Sequence, residues 1–114
     1  MTDKAKIQES YGLYIDGAFR PSSDGSTFET SCPANGEHLS TCAAATAEDV
    51  DAAVKGAWKA FKSWKKTTNK QRAAILRKIA DVIDKNKEHL AMVESLDNGK
   101  PIRETLNVDV PLSA

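Results

Sequence analysis

Residues 38–64 read HLSTCAAATAEDVDAAVKGAWKAFKSW, and their periodicity changes partway through. Up to Ala43 the β-forming residues suit a strand. From Thr46 onward apolar residues recur every three or four positions, so that Val50, Ala53, Val54, Ala57, Trp58, Phe61 and Trp64 share one helical face. Thr46-Ala47-Glu48-Asp49 marks the start of that helix as a capping box, with Asp49 where glutamate is usual. The class that follows is α/β.

Upstream of the switch the chain predicts two hairpins. Leu13-Tyr14-Ile15 and Ala18-Phe19-Arg20 flank Asp16-Gly17, a pair that tolerates the positive φ angles of a two-residue turn. Residues 21–26 form a loop by composition. Thr27–Ser31 and His38–Ala43 flank a turn at Pro33-Ala34-Asn35-Gly36. In that register Cys32 lies at the turn and Cys42 well down the return strand, which argues against a disulfide. Residues 1–10 are polar and are expected to be disordered.

Downstream, Thr67-Thr68-Asn69 interrupts the first helix. Ile75, Leu76, Ile79, Ala80, Val82 and Ile83 mark a second, and Lys85–Glu88 a break. Leu90, Val93 and Leu96 resume the stripe until Asn98-Gly99, followed by Pro101, stops it. Ile102, Leu106 and Val110 continue a helical pattern in which Pro111 sits awkwardly. The pattern runs to Ala114 without a stop, so the chain is expected to be part of a longer one.

Charge is balanced overall, with sixteen Lys+Arg against sixteen Asp+Glu, so no global field draws the chain to nucleic acid or acidic lipid. With 40% apolar and 28% charged residues the composition excludes a disordered chain and a membrane protein. No apolar run is long enough for a membrane span or a secretory signal. Two cysteines cannot staple a secreted domain of this length. A cytoplasmic protein with reduced thiols is therefore expected. Residues 52–80 carry nine bases and no acids, the best argument for a nucleic-acid binder. However, Lys55, Lys59, Lys62 and Lys66 occupy the polar side of an amphipathic helix, where a solvated basic face is ordinary.

The chemistry-bearing patterns are mostly negative. No two of the six glycines are close enough for a dinucleotide or phosphate loop. His38 and His89 lack partners at zinc-ligand spacing. Cys32 and Cys42 lie in a predicted hairpin rather than beside a helix N-terminus or a basic neighbour, as an activated thiol would. Asp81 and Asp84 are read as a solvated helix face.

Several stretches taken together resemble a known family. Leu13–Gly17, Cys32–Glu37, Glu48–Val54, Ala60–Trp64 and Arg72–Leu76 occur in the order and spacing of the start of an aldehyde dehydrogenase. Glu94-Ser95-Leu96-Asp97-Asn98-Gly99-Lys100-Pro101 is the most specific, with Glu104 and Val108-Asp109 after it. The pattern is most similar to bacterial enzymes acting on acetaldehyde and other simple aldehydes.

The resemblance implies the N-terminal part of the aldehyde dehydrogenase fold: two β-hairpins followed by two to three amphipathic helices, incomplete as a domain. Residues 11–114 would be a partial cofactor-domain segment. It implies oxidation of aldehydes to acids with NAD or NADP, through a cysteine and a glutamate that lie far downstream of this stretch in the family. The chain alone is accordingly expected to be inactive. A monovalent cation is implied at the main-chain oxygens of Thr30 and Ser31 and the carboxylate of Asp109, ligand types suited to a hard ion. Cys32 replaces the asparagine the family usually has before this proline. A homo-oligomer, or association with the rest of the enzyme, is also implied, with Trp58, Phe61, Trp64, Ile75, Leu76, Ile79 and Ile83 packing against a sheet from elsewhere. The alternatives are a stand-alone protein that binds a partner through its apolar helix faces, and the basic-helix nucleic-acid binder.

Overall fold

The structure is a computed structural model and describes residues 6–114. In chain order it contains β1 (Ser10–Tyr11), β2 (Leu13–Ile15), β3 (Ala18–Arg20), β4 (Thr27–Ser31), β5 (His38–Ala43), α1 (Ala47–Trp64), α2 (Asn69–Lys85) and α3 (Lys87–Asn98). A three-residue helix α4 (Ile102–Glu104), a π-turn over Thr105–Asp109 and a short α5 (Val110–Ser113) follow. The contacts divide these residues into two compact bodies. One holds residues 8–30 and 40–68; the other holds 31–39 and 69–114, with residues 6 and 7.

In the first body β2 and β3 pair antiparallel, with Tyr14 opposite Phe19. Asp16 (φ 51°) and Gly17 (φ 85°) take the left-handed angles a two-residue turn requires. Gly12 allows the chain to enter this hairpin, since a Cβ there would come within 2.8 Å of the Arg20 carbonyl oxygen. The second hairpin forms as the sequence predicts, with strand order β1-β5-β4. Cys32 and Cys42 are free thiols.

β1 takes in Ser10, the last residue of the stretch 1–10 that is expected to be disordered. Residues 1–5 lie outside the described residues, but Ser10 and Tyr11 run parallel to β5, opposite Thr41 and Cys42. The Glu9 carbonyl accepts from the Thr41 N–H at 3.0 Å and from the Ser40 hydroxyl at 3.2 Å. The edge of β5 needs main-chain partners, and an exposed polar strand can supply them without any apolar pattern.

α1 begins as the capping box predicts. Thr46 Oγ1 accepts from the Asp49 N–H. One oxygen of Asp49 accepts from the N–H of Thr46, the N–H of Ser23 and the Thr46 hydroxyl, each at 3.0 Å. Asp49 is buried, and Arg20 stands 4.0 Å from its other oxygen. The main-chain N–H groups of Thr46 and then Ser23 hold its carboxyl well below the usual range, at about 2. Because the folded-state pKa lies below the unfolded value of 3.8, this stabilisation is complete above the unfolded pKa. It is lost as pH falls through the folded one. The helical circular-dichroism signal should therefore weaken between about pH 4 and about pH 2. Asp49→Asn should lower stability at neutral pH and flatten the profile across that window; an unchanged acid transition in the variant would refute the assignment.

In the second body Asn86 (φ −108°, ψ 14°) separates α2 from α3, and its side-chain amide donates to the Val82 carbonyl at 2.8 Å. Gly99 ends α3 at φ 79° with its N–H on the Ser95 carbonyl. Pro101 immediately precedes α4. The awkward Pro111 is accommodated by the π-turn, in which the Val110 N–H reaches back to the Thr105 carbonyl. A regular α-turn would press the proline ring onto the carbonyl of Asn107. Thr105 is fully buried; its hydroxyl lies 3.0 Å from the Ala91 carbonyl and 2.9 Å from the Ser95 hydroxyl.

Little apolar surface is buried. Among the described residues only Cys32, Ala91 and Val110 are buried hydrophobics. Trp58 is 64% exposed, Leu76 66% and Val82 57%; Phe61, Trp64, Ile75 and Ile79 are exposed as well. Full burial of one such side chain contributes roughly 1.5–3 kcal/mol, so the two helical stripes leave much of their stabilisation unrealised.

Candidate functional site

The three implied cation ligands fall at a strand end and a helical turn. Thr30 and Ser31 close β4, and Cys32 follows, buried, with its N–H on the Glu37 carbonyl at 2.8 Å and its carbonyl accepting from Gly36 at 2.8 Å. The Thr30 hydroxyl donates to the Ser40 carbonyl at 3.4 Å. The turn is thus held by main-chain bonds and by Asn35, whose side chain accepts from the Glu37 N–H at 3.0 Å. It forms without the asparagine that Cys32 replaces. Thr30 belongs to the first body, and Ser31 and Asp109 to the second.

Asp109 ends the π-turn, half-buried, and its carboxylate pairs with the Lys100 ammonium. That hydrogen bond, and the field of Glu94 and Glu104 beyond it, holds Lys100 above its ordinary pKa. The carboxylate assigned to a cation therefore already meets one. Sequence reasoning missed Lys100 because Lys100 and Asp109 are separated by a helix stop and a π-turn, at no regular helical spacing. The Asn98 side chain accepts from the Lys100 N–H at 2.7 Å and fixes the chain just after the stop.

The other candidates stay apart. Among the described residues no three His, Cys, Asp or Glu side chains are grouped to hold a metal ion. The basic side of α1 is partly neutralised: Lys55 pairs with Asp51 at 2.6 Å and Lys59 approaches Asp16 at 3.9 Å, while Lys65 lies over the Phe61 ring. No helix among the described residues is long and apolar enough to cross a membrane.

The start of α1 does not offer the donors that the dinucleotide implied by the resemblance would need. A pyrophosphate needs free N–H groups at a glycine-lined helix start. The start of α1 is instead closed by the Asp49 carboxylate, which would repel a phosphate. Gly17, Gly25 and Gly36 serve turns, and Gly99 a helix stop.

The sequence model of the aldehyde dehydrogenase family matches residues 19–114. The chain is 49% identical over 109 residues to DhaS of Bacillus subtilis (strain 168), a protein classed with the aldehyde dehydrogenases. That match covers 94% of this chain and 22% of DhaS. It is 46% identical over 104 residues to an acetaldehyde dehydrogenase of Pseudomonas aeruginosa, covering 91% of this chain and 21% of that enzyme. Its backbone is similar to that of an aldehyde dehydrogenase from Bacillus cereus solved with NAD+, with a TM-score of 0.88 and 40% identity over 96% of this chain and 23% of that one. The chain thus spans about a fifth of the length of the curated relatives it matches. A family match that takes in both the β4–β5 hairpin and every helix leaves one conclusion: this chain belongs to the aldehyde dehydrogenase family.

Proposed function

We propose that this chain is the N-terminal segment of a cytoplasmic enzyme that oxidises aldehydes to carboxylic acids with NAD or NADP. Within that enzyme it serves as scaffold and supplies no catalytic group. One observation carries the reading: similarity extends over more than nine-tenths of this chain yet takes in only about a fifth of each relative. The exposed stripes of α1 and α2 agree with it, as helices that await further chain. NAD is favoured by the B. cereus neighbour, solved with that nucleotide, and simple aldehydes by the P. aeruginosa relative. A monovalent cation at Thr30, Ser31 and Asp109, and an oligomeric enzyme, belong to the proposal on the family resemblance; the cation would share Asp109 with Lys100.

A chimaera tests this. The matching fifth of the P. aeruginosa enzyme is replaced by this chain, and NADH formation from acetaldehyde is followed. A working scaffold should give NAD-dependent turnover within about tenfold of the parent, that is, within about 1.4 kcal/mol in the barrier. A chimaera that melts cooperatively like the parent yet produces no NADH would defeat the reading.

A further inference from the structure

We propose that Asn35 is a modification site, where water converts the side-chain amide to aspartate or isoaspartate without an enzyme, and that the fold shields the chain's other Asn-Gly pair, Asn98-Gly99. The inference does not rest on the proposed enzymatic function. In an Asn-Gly pair the glycine has no Cβ to hinder the approach of its own main-chain nitrogen to Cγ of the asparagine. That nitrogen attacks Cγ and gives its proton to water. A C–N bond closes a cyclic imide, the Cγ–Nδ2 bond breaks, and ammonia leaves. Water then opens the ring at either carbonyl. Cleavage of the new bond gives aspartate. Cleavage of the original main-chain bond gives isoaspartate, in which the chain runs through the former side chain.

The two pairs share one local device. Gly36 (φ 73°) and Gly99 (φ 79°) are both left-handed. Gly36 donates its N–H to the Cys32 carbonyl at 2.8 Å, and Gly99 to the Ser95 carbonyl at 3.0 Å. Each asparagine Oδ1 accepts from the N–H two residues on, Asn35 from Glu37 at 3.0 Å and Asn98 from Lys100 at 2.7 Å. That donor meets the oxygen on which negative charge builds during the attack, so it favours ring closure at either pair. Both asparagines are exposed. What differs is the anchorage of the glycine N–H, which must leave its carbonyl before the nitrogen can attack. Gly36 belongs to a single turn, where the Cys32 carbonyl also accepts from Asn35 at 3.4 Å, and a Cβ at Gly36 would meet nothing within 4 Å. Gly99 closes the twelve-residue α3, whose last turn must unwind with it. Pro33 covers it, since a Cβ there would come within 2.9 Å of the proline Cγ. The Asn98 amide is further tied to Glu94 at 3.5 Å. Local opening is easiest where the fewest contacts are lost, so the Gly36 nitrogen is released more often than that of Gly99.

The purified chain, held in mildly alkaline buffer, is sampled over time for peptide mapping by mass spectrometry, with aspartate and isoaspartate peptides separated by chromatography. Asn35 should be lost about tenfold faster than Asn98, with isoaspartate among its products. In urea sufficient to unfold the chain the two rates should come within about threefold, since only the fold distinguishes the pairs. The loss of Asn35 should also speed as pH rises, because the attacking nitrogen must give up its proton. Isoaspartate adds a carbon to the main chain between Ala34 and Gly36. It moves the Glu37 carbonyl out of line with the Cys32 N–H, now 2.8 Å away, so the converted chain should melt at a lower temperature. Equal rates at the two asparagines in buffer, or a faster loss of Asn98, overturn the proposal. So does an Asn35 that survives in buffer as long as Asn98 does while both are lost in urea, which would mean that the turn is as closed as the helix end. Aspartate as the sole product, at a rate unchanged by pH, would show direct hydrolysis and remove the attack by Gly36.

Discussion

Gly99→Val should lower the stability of the body built from α2, α3 and the C-terminal turns by roughly 3 kcal/mol, with two causes acting together. Gly99 has φ 79°, a conformation that costs an L-residue about 1–2 kcal/mol and a β-branched one more. In addition, a Cβ there would lie 2.9 Å from Cγ of Pro33, where nothing flexible can yield. Forcing atoms into such a contact costs roughly 1–3 kcal/mol. Gly36 separates the two causes. Its φ is 73°, but a Cβ there would meet nothing within 4 Å. Gly36→Val should therefore cost only the conformational part. Thermal and urea unfolding of both variants, followed by circular dichroism, check the difference. Equal losses at the two sites would mean that the approach of Pro33 to Gly99 does not constrain the fold.

The contrast between these glycines shows where sequence reasoning reaches. That Gly99 ends a helix is legible from Asn98-Gly99 and the proline after it, because a helix stop is a local event. That Pro33 closes over it is not, because the two are brought together by tertiary structure. The same division holds elsewhere. Asp16-Gly17 announces its hairpin, and Thr46 with Asp49 announces α1, since each uses neighbours in sequence. The Ser23 N–H that completes the Asp49 site comes from a loop 26 residues away and leaves no mark in the sequence. β1 is silent because it contributes only main-chain groups to β5. The π-turn is silent because Pro111 says that a regular helix must change but not how. Asp109 is paired with Lys100, which the sequence does not announce, because the two are joined across a helix stop and a π-turn.

Supplied with acetaldehyde and NAD, the purified chain should produce no NADH above the uncatalysed background, whatever its concentration. Aldehyde oxidation through a covalent intermediate needs an activated thiolate and donors aimed at the developing oxyanion. Cys32 is buried at a hairpin turn whose N–H and carbonyl are already engaged with Glu37 and Gly36. Cys42 lies within β5, opposite Tyr11 of β1. Neither sits at a helix start, the one local feature here that would favour a thiolate. The start of α1 carries a carboxylate of its own, and the same carboxylate keeps a nucleotide phosphate away. NADH formation proportional to chain concentration, and abolished by Cys32→Ser or Cys42→Ser, would place a working site within these residues. Loss of that signal in neither variant would trace it to a contaminating dehydrogenase, so the pair of substitutions decides which protein is turning over.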